Sequence, residues 1–143
     1  MFYRNFLEKD LIDFNPRERD FELFDDDWIE LIEKQICSSI KVFTLTDGCK
    51  VYSIIGQVNY EDFYSIWMIS SDNIVLYNKQ KDFIKCFNEL YLQEKPDNDK
   101  PIKIVVDKTK PSTIKFISRY GFVPEIKLEN DFMIYSTKIL EAV

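Results

Sequence analysis

Val106-Asp107-Lys108-Thr109-Lys110-Pro111-Ser112-Thr113-Ile114-Lys115-Phe116-Ile117-Ser118-Arg119-Tyr120-Gly121-Phe122 is the stretch on which the reading of this chain turns. It reads as the end of a strand, a short turn, a helix over 111–120, a glycine stop and a new strand. Pro111 suits the first helical position, where its missing N–H would have had no partner anyway. Gly121 suits the left-handed residue that closes a helix. Upstream, Ile102 to Asp107 is a compact apolar run, predicted to be a strand buried on both faces. Downstream, Phe122 to Lys127 and Asp131 to Lys138 are the last two strands, joined through Leu128-Glu129-Asn130. A strand, a helix and another strand in succession call for at least one parallel pairing in the sheet.

Further upstream the period of the apolar residues changes. Phe2 to Phe6 is a short first strand, and Leu7, Leu11, Ile12 and Phe14 among charges suggest a short helix ending near Pro16. From Glu18 to Ile36, Phe21, Phe24, Trp28, Leu31, Ile32 and Ile36 recur at helical spacing and give one apolar face. Asp25-Asp26-Asp27 interrupts that face, as a cap and a solvated patch would. Ile40 to Thr46 and Cys49 to Tyr60 are β-branched and aromatic, and Asp47-Gly48 between them is a strong hairpin signal. Gly56 inside the second of these strands predicts a bulge or a close approach. Phe63 to Ser70 is a third strand, and Asn78 to Gln93 is a helix with Phe83, Ile84, Phe87, Leu90 and Tyr91 on one face. The fold class is therefore α/β (α+β): a mixed, mostly antiparallel central sheet of about six to seven strands with helices on both faces. No repeat or linker interrupts the chain, so residues 1–143 are expected to form a single domain.

Bulk properties narrow the function. With 143 residues, 45% of them hydrophobic, the chain can bury a sizeable core. The net charge of −6, with 19 basic residues interspersed among 25 acidic ones, argues against a nucleic-acid partner and against a DNA mimic. The sequence contains no His, which removes the usual general base, the commonest metal ligand and any Ser-His or Cys-His catalysis. Cys37, Cys49 and Cys86 are odd in number and widely spaced, so they are expected to be reduced, mostly buried thiols of a cytoplasmic protein, with no metal held. No apolar run approaches membrane-spanning length, and Met1 to Phe6 lacks the apolar core of a signal peptide.

In collinear order the chain supplies Arg17-Glu18-Arg19-Asp20-Phe21-Glu22, the Asp47-Gly48 hairpin, Trp67-Met68-Ile69-Ser70-Ser71, Phe83 to Leu90, Val106-Asp107 and Tyr120-Gly121-Phe122. This series resembles the GNAT superfamily of N-acetyltransferases, and within it the phage GNAT-like proteins grouped with the internal core proteins of podoviruses. The resemblance implies a sheet splayed after its third and fourth strands, with acetyl-CoA in the splay and its pyrophosphate on the helix after the fourth strand. It implies an acyl-CoA cleft formed by Trp67, Met68, Ile69, Ser70, Ser71 and Lys79, the backbone of 67–69 pairing with the pantetheine arm. Glu22 and Glu61 are the candidate general bases for an amine nucleophile.

The chain also departs from the superfamily. Its phosphate loop commonly reads Gln/Arg-x-x-Gly-x-Gly/Ala, because a helix N-terminus binds phosphate and glycines let it approach. Residues 71–80 contain no glycine, and Asp72 would repel phosphate, leaving Lys79 and Lys81 as the cations near that helix start. Counting back from Gly121, the general-acid Tyr of the superfamily is replaced by Ile117, and a frequent Asn is replaced by Lys110. Tyr120 is expected to pack. These departures favour a catalytically reduced protein: an interaction or virion-assembly factor that requires no cofactor and binds a phage or host protein in the host cytoplasm. The alternative is an acetyl-CoA-dependent N-acyltransferase acting on a protein or a small amine.

Overall fold

Alternating side chains decide which face of a strand is buried, and in this chain they build one sheet with helices on either side. The computed structural model describes residues 2–12, 14, 28–70, 81–92 and 100–137. Strand β1 (Phe2–Asn5) leads through a 3₁₀ turn (Glu8–Leu11) toward helix α1 (Trp28–Ser38). Strands β2 (Ser39–Thr46), β3 (Val51–Asn59) and β4 (Tyr64–Ser70) follow. Helix α2 (Lys81–Leu92), strand β5 (Ile102–Asp107), helix α3 (Pro111–Ser118), β6 (Phe122–Lys127) and β7 (Phe132–Thr137) complete the described elements. The seven strands form one sheet in the order β1-β2-β3-β4-β5-β7-β6. The β4–β5 pair is parallel and every other neighbouring pair is antiparallel. The sheet is thus mixed and mostly antiparallel, as the sequence predicts.

Ile54 and Ile55 are adjacent on β3 and point to opposite faces, and each belongs to a different core. Ile54 packs with Phe14, Ile32 and Ile69 on the α1 side. Ile55 joins Phe43, Tyr64, Ile66, Phe83, Phe87, Leu90, Val106 and Ile117 beneath α2 and α3. The second core runs under both halves of the sheet. Phe87 is at its aromatic centre, with ring centroids of Phe116 at 5.2 Å and Tyr120 at 4.8 Å. Tyr91 stacks on Phe87, and its hydroxyl donates to the Tyr120 carbonyl at 2.8 Å. The Tyr120 hydroxyl donates to Asn88 Oδ1, so Tyr120 packs as expected and joins α2 to the end of α3.

The stretch 106–122 folds as a strand end, a helix and a new strand. Pro111 opens α3 and Gly121 has φ +86°, the left-handed conformation its place in the sequence calls for. The regular helix closes at Ser118, two residues before the expected end. There the Tyr120 N–H bonds to Ile117 O and the Gly121 N–H to Ser118 O, tightening the last turn. One expectation for β5 fails. Val105 is 51% exposed, so the face of β5 that it shares with Lys103 and Asp107 is covered only in part. Helix α1 packs over β2 and β3.

The Asp47-Gly48 hairpin forms, with Gly48 at φ +95°. Asp47 Oδ1 accepts the N–H groups of Cys49 and Lys50, each at 2.8 Å. Gly56 is no bulge, since it pairs in register with Val42 and Trp67. It permits a close approach instead: a Cβ there would lie 2.6 Å from the Trp67 ring. The thiols differ from expectation as well. Cys86 is buried, but Cys37 and Cys49 are exposed, one on α1 and the other at the hairpin tip. Of the helix predicted over Glu18 to Ile36, the part from Trp28 on is α1, and residues 18–27, with Asp25, Asp26 and Asp27, lie outside the described residues.

Candidate functional site

The parallel ladder between β4 and β5 has two paired positions, Tyr64 with Ile102 and Ser65 with Lys103. Tyr64 N–H donates to the Pro101 carbonyl at 2.9 Å, which sets the edge of β4 that faces β5. By strand alternation the backbone of Met68 faces the same way. Past Ser65 the two strands are no longer paired, although β4 continues to Ser70 and β5 to Asp107. A wedge therefore opens inside the sheet, narrow at Ser65 and widening toward Ser70. Strand β4 keeps its shape along the wedge because β3 pairs with it from Tyr64 to Ser70.

The side chains of the free part of β4 alternate between the two cores. Trp67 and Ile69 face α1, Ile69 being 4% exposed. The Trp67 indole lies across Gly56, and its Nε1–H donates to Ser39 Oγ at 2.9 Å. Ser39 Oγ in turn donates to the Gln35 carbonyl at 2.6 Å, tying the end of α1 to the start of β2. Met68 packs against the core beneath α2 and α3. Ser70 is buried, its Oγ 3.2 Å from Ser53 Oγ.

Four of the six cleft residues named from the sequence, Trp67, Met68, Ile69 and Ser70, thus line β4 where it leaves β5. Ser71, Lys79 and the candidate base Glu22 lie outside the described residues. Glu61 is exposed in the turn before β4, on the paired side of the wedge. Ile117 is 1% exposed and sealed in the core, while Lys110 stands just before α3. Among the described residues, no cluster of His, Cys, Asp or Glu could hold a metal ion. Nor is any described helix long and apolar enough to cross a membrane.

One residue escaped the sequence reading. Gln57 on β3 is 4% exposed, and its Nε2 has no hydrogen-bond partner. It pairs with Ile66, the first β4 residue past the last β4–β5 pair. Its signal in the sequence is one amide in the apolar run Ile54-Ile55-Gly56-Gln57-Val58. Buried polar groups are nearly always satisfied, so this enclosed donor is an exception among the described residues.

No protein-family model matches the chain, and no curated protein does. Solved structures do. An aminoglycoside 6'-acetyltransferase type Ii superposes with a TM-score of 0.66 at 15% identity, over 100% of both chains. The ribosomal-protein-S18-alanine N-acetyltransferase from Escherichia coli gives 0.65 at 14% identity, over 99% of this chain and 95% of its own. A GNAT family acetyltransferase from Elizabethkingia anophelis, solved with acetyl-CoA bound, gives 0.60 at 13% identity, over 96% and 97%. The fold is that of the GNAT acetyltransferases.

Proposed function

We propose that this chain is an acetyl-CoA-dependent N-acetyltransferase acting on a protein or small-molecule amine. The observation that carries the proposal is the wedge, where parallel pairing stops after Ser65 while β3 holds β4 straight to Ser70. The described residues fit the arm of acetyl-CoA. Met68 offers backbone to an extended amide chain. When bound, acetyl-CoA supplies an activated acetyl group. The chain's part is to orient that group and to receive a proton from the attacking amine. Glu22 and Glu61 are the proposed acceptors of that proton, and Ser71 and Lys79 extend the proposed cleft beyond Ser70.

A second reading is favoured by Ile117, an apolar side chain sealed where the superfamily's acid would stand. In that reading the fold is kept as a module that binds a phage or host protein, in the infected cell or the particle, and needs no cofactor.

Thermal melting with acetyl-CoA separates the two. A ligand at a hundred times its dissociation constant adds about 2.7 kcal/mol to the folded state. A clear rise in Tm is expected, weakened when Lys79 is changed to Ala. An unchanged Tm at millimolar acetyl-CoA would reject the enzyme and leave the binding module. Release of free thiol from acetyl-CoA, followed over a panel of amines and N-terminal peptides, then identifies the acceptor class.

A further inference from the structure

Past its last pair with β4, strand β5 shows two unlike faces. Ile104 and Val106 pack against the core beneath α2 and α3, as Ile66 and Met68 of β4 do. Val105 points to the other face and is 51% exposed. No strand stands between Val105 and the wedge, because β5 is itself the border of the wedge. Residues paired across neighbouring strands share a face. Val105 pairs with Ile134 of β7, and Ile134 pairs with Ile126 of β6. The three form an apolar row that begins at the wedge and ends at Ile126, 48% exposed. With strands about 4.8 Å apart, the row runs about 10 Å from β5. The charges that flank it on its own strands are engaged. Lys103 Nζ bonds Glu125 Oε1 at 2.5 Å, and Asp107 Oδ1 accepts the N–H and the hydroxyl of Thr109. On the far side of the wedge, Trp67 leans over Gly56 of β3, away from β5. A thioester in the wedge therefore has a strand on either side and the aromatic core beneath it, and its exposed approach is over Val105.

We propose that the row Val105-Ile134-Ile126 holds the acceptor, and that the acceptor is an amine bearing an apolar side chain. The proposal rests on the acetyltransferase reading and names its substrate class. A peptide with an apolar first residue and a free hydrophobic primary amine share that chemistry. An apolar group laid on the row takes its own surface and that of Val105 and Ile126 out of water, which favours binding. A charged side chain in the same place loses water and finds Lys103, Glu125 and Asp107 already engaged, which opposes binding. In the transfer, the nitrogen of the neutral amine bonds to the acetyl carbon and the carbon–sulfur bond breaks. One N–H proton passes, by way of the proposed carboxylate, to the departing thiolate, so the products are an amide and CoA. Val105, Ile134 and Ile126 take no part in these steps; they select and orient the amine.

The test follows thiol release from acetyl-CoA with matched acceptors. These are peptides beginning with leucine, phenylalanine, serine, aspartate or lysine, and the amines hexylamine, benzylamine, ethanolamine and putrescine. For the apolar members kcat/KM should exceed that of the polar and charged ones about tenfold or more, the scale of one side chain in an apolar subsite. Val105→Asp, at an exposed position, should keep its Tm and its affinity for acetyl-CoA while losing most of that preference. Ile126→Ser should act in the same direction and serves if the first variant folds poorly. As a second readout, the N-acetylated leucine peptide, titrated in the presence of CoA, should move the methyl NMR signals of Val105, Ile134 and Ile126, and the serine peptide should not. Preference for the peptides identifies a polypeptide N-terminus, and preference for the free amines a small molecule; both support the proposal. Equal turnover of apolar and charged acceptors overturns it and leaves the acetyltransferase reading standing. So does a preference that neither variant alters, or thiol release with none of the apolar acceptors while acetyl-CoA binds. If acetyl-CoA does not bind, the acetyltransferase reading falls, and this inference with it.

Discussion

At the scale of single residues, one tightly held charge is Asp10, 2% exposed in the turn after β1. Burial alone would raise its pKa. Three donors outweigh burial and hold the carboxyl below its ordinary value: the Arg4 guanidinium, the Leu7 N–H and the Thr44 hydroxyl. Arg4 bonds both carboxylate oxygens at 2.8 Å, and Thr44 Oγ1 donates at 2.7 Å. Because the folded pKa is depressed, the stabilisation is fully present above the unfolded value and is lost as pH falls through the folded one. Urea titrations from pH 7 to pH 2 should therefore show stability falling below about pH 4. Asp10→Asn should remove that part of the slope and cost about 2–4 kcal/mol at pH 7, since it leaves Arg4 without its charge partner. A variant as stable as wild type would mean that the pair is merely tolerated. Ile117 makes the complementary point. At 1% exposure it has no room for a phenol. Ile117→Tyr should lower stability by about 1–3 kcal/mol through overpacking, and should confer no added acetyl transfer.

At the scale of elements, the β3–β4 pair is fixed by a contact between a glycine and an indole. A Cβ at Gly56 would meet Trp67 ring atoms at 2.6, 2.7 and 2.8 Å, so the ring must leave its seat and its hydrogen bond to Ser39. Gly56→Ala should cost about 1–3 kcal/mol and shift the tryptophan fluorescence. In Gly56→Ala combined with Trp67→Leu, the second change should recover part of the loss, because it removes the clash. Purely additive losses in urea melts would show that the ring is not the cause. Elements such as this were partly legible in the sequence. The strands, the Asp47-Gly48 turn and the helix between Pro111 and Gly121 announce themselves through local chemistry, because turns and caps need particular residues. Gly56 announced a close approach but not its partner, since the partner is set by strand register. The exposure of Val105 on β5 was not legible. An apolar run looks the same whether it is covered fully or in part, and Val105 is exposed in the middle of this one. Cys37 and Cys49 were misplaced for a similar reason, composition giving no direction to a side chain on a helix or at a turn. Of the site, the backbone of β4 was read from its Trp-apolar-apolar-Ser pattern, whereas Gln57 became visible only when its lack of a partner could be seen.

At the scale of the whole molecule, the sheet is two half-sheets, β1 to β4 and β5-β7-β6, joined at two paired positions. They hold together because one core runs beneath both. Phe43 and Ile55 of the first half share it with Val106 and Tyr135 of the second, under the aromatic cluster of α2 and α3. Unfolding should therefore be one cooperative transition, despite the weak seam. Local opening is a different matter, because it follows local hydrogen bonding rather than global stability. The Met68 amide faces the wedge, whereas those of Trp67 and Ile69 face β3 within the continuous β3–β4 register. Native-state hydrogen exchange should therefore find Met68 exchanging at least tenfold faster than its two neighbours. If the wedge takes the arm of acetyl-CoA as an added strand, saturating ligand should slow Met68 toward the rate of its neighbours. A Met68 amide already as slow as Trp67 and Ile69 without ligand would show the wedge to be closed in solution. A fast Met68 that acetyl-CoA leaves unchanged would show an open wedge that does not hold this ligand through its backbone. The first result would remove the basis for acyl-CoA binding, and the second would confine any binding to side chains.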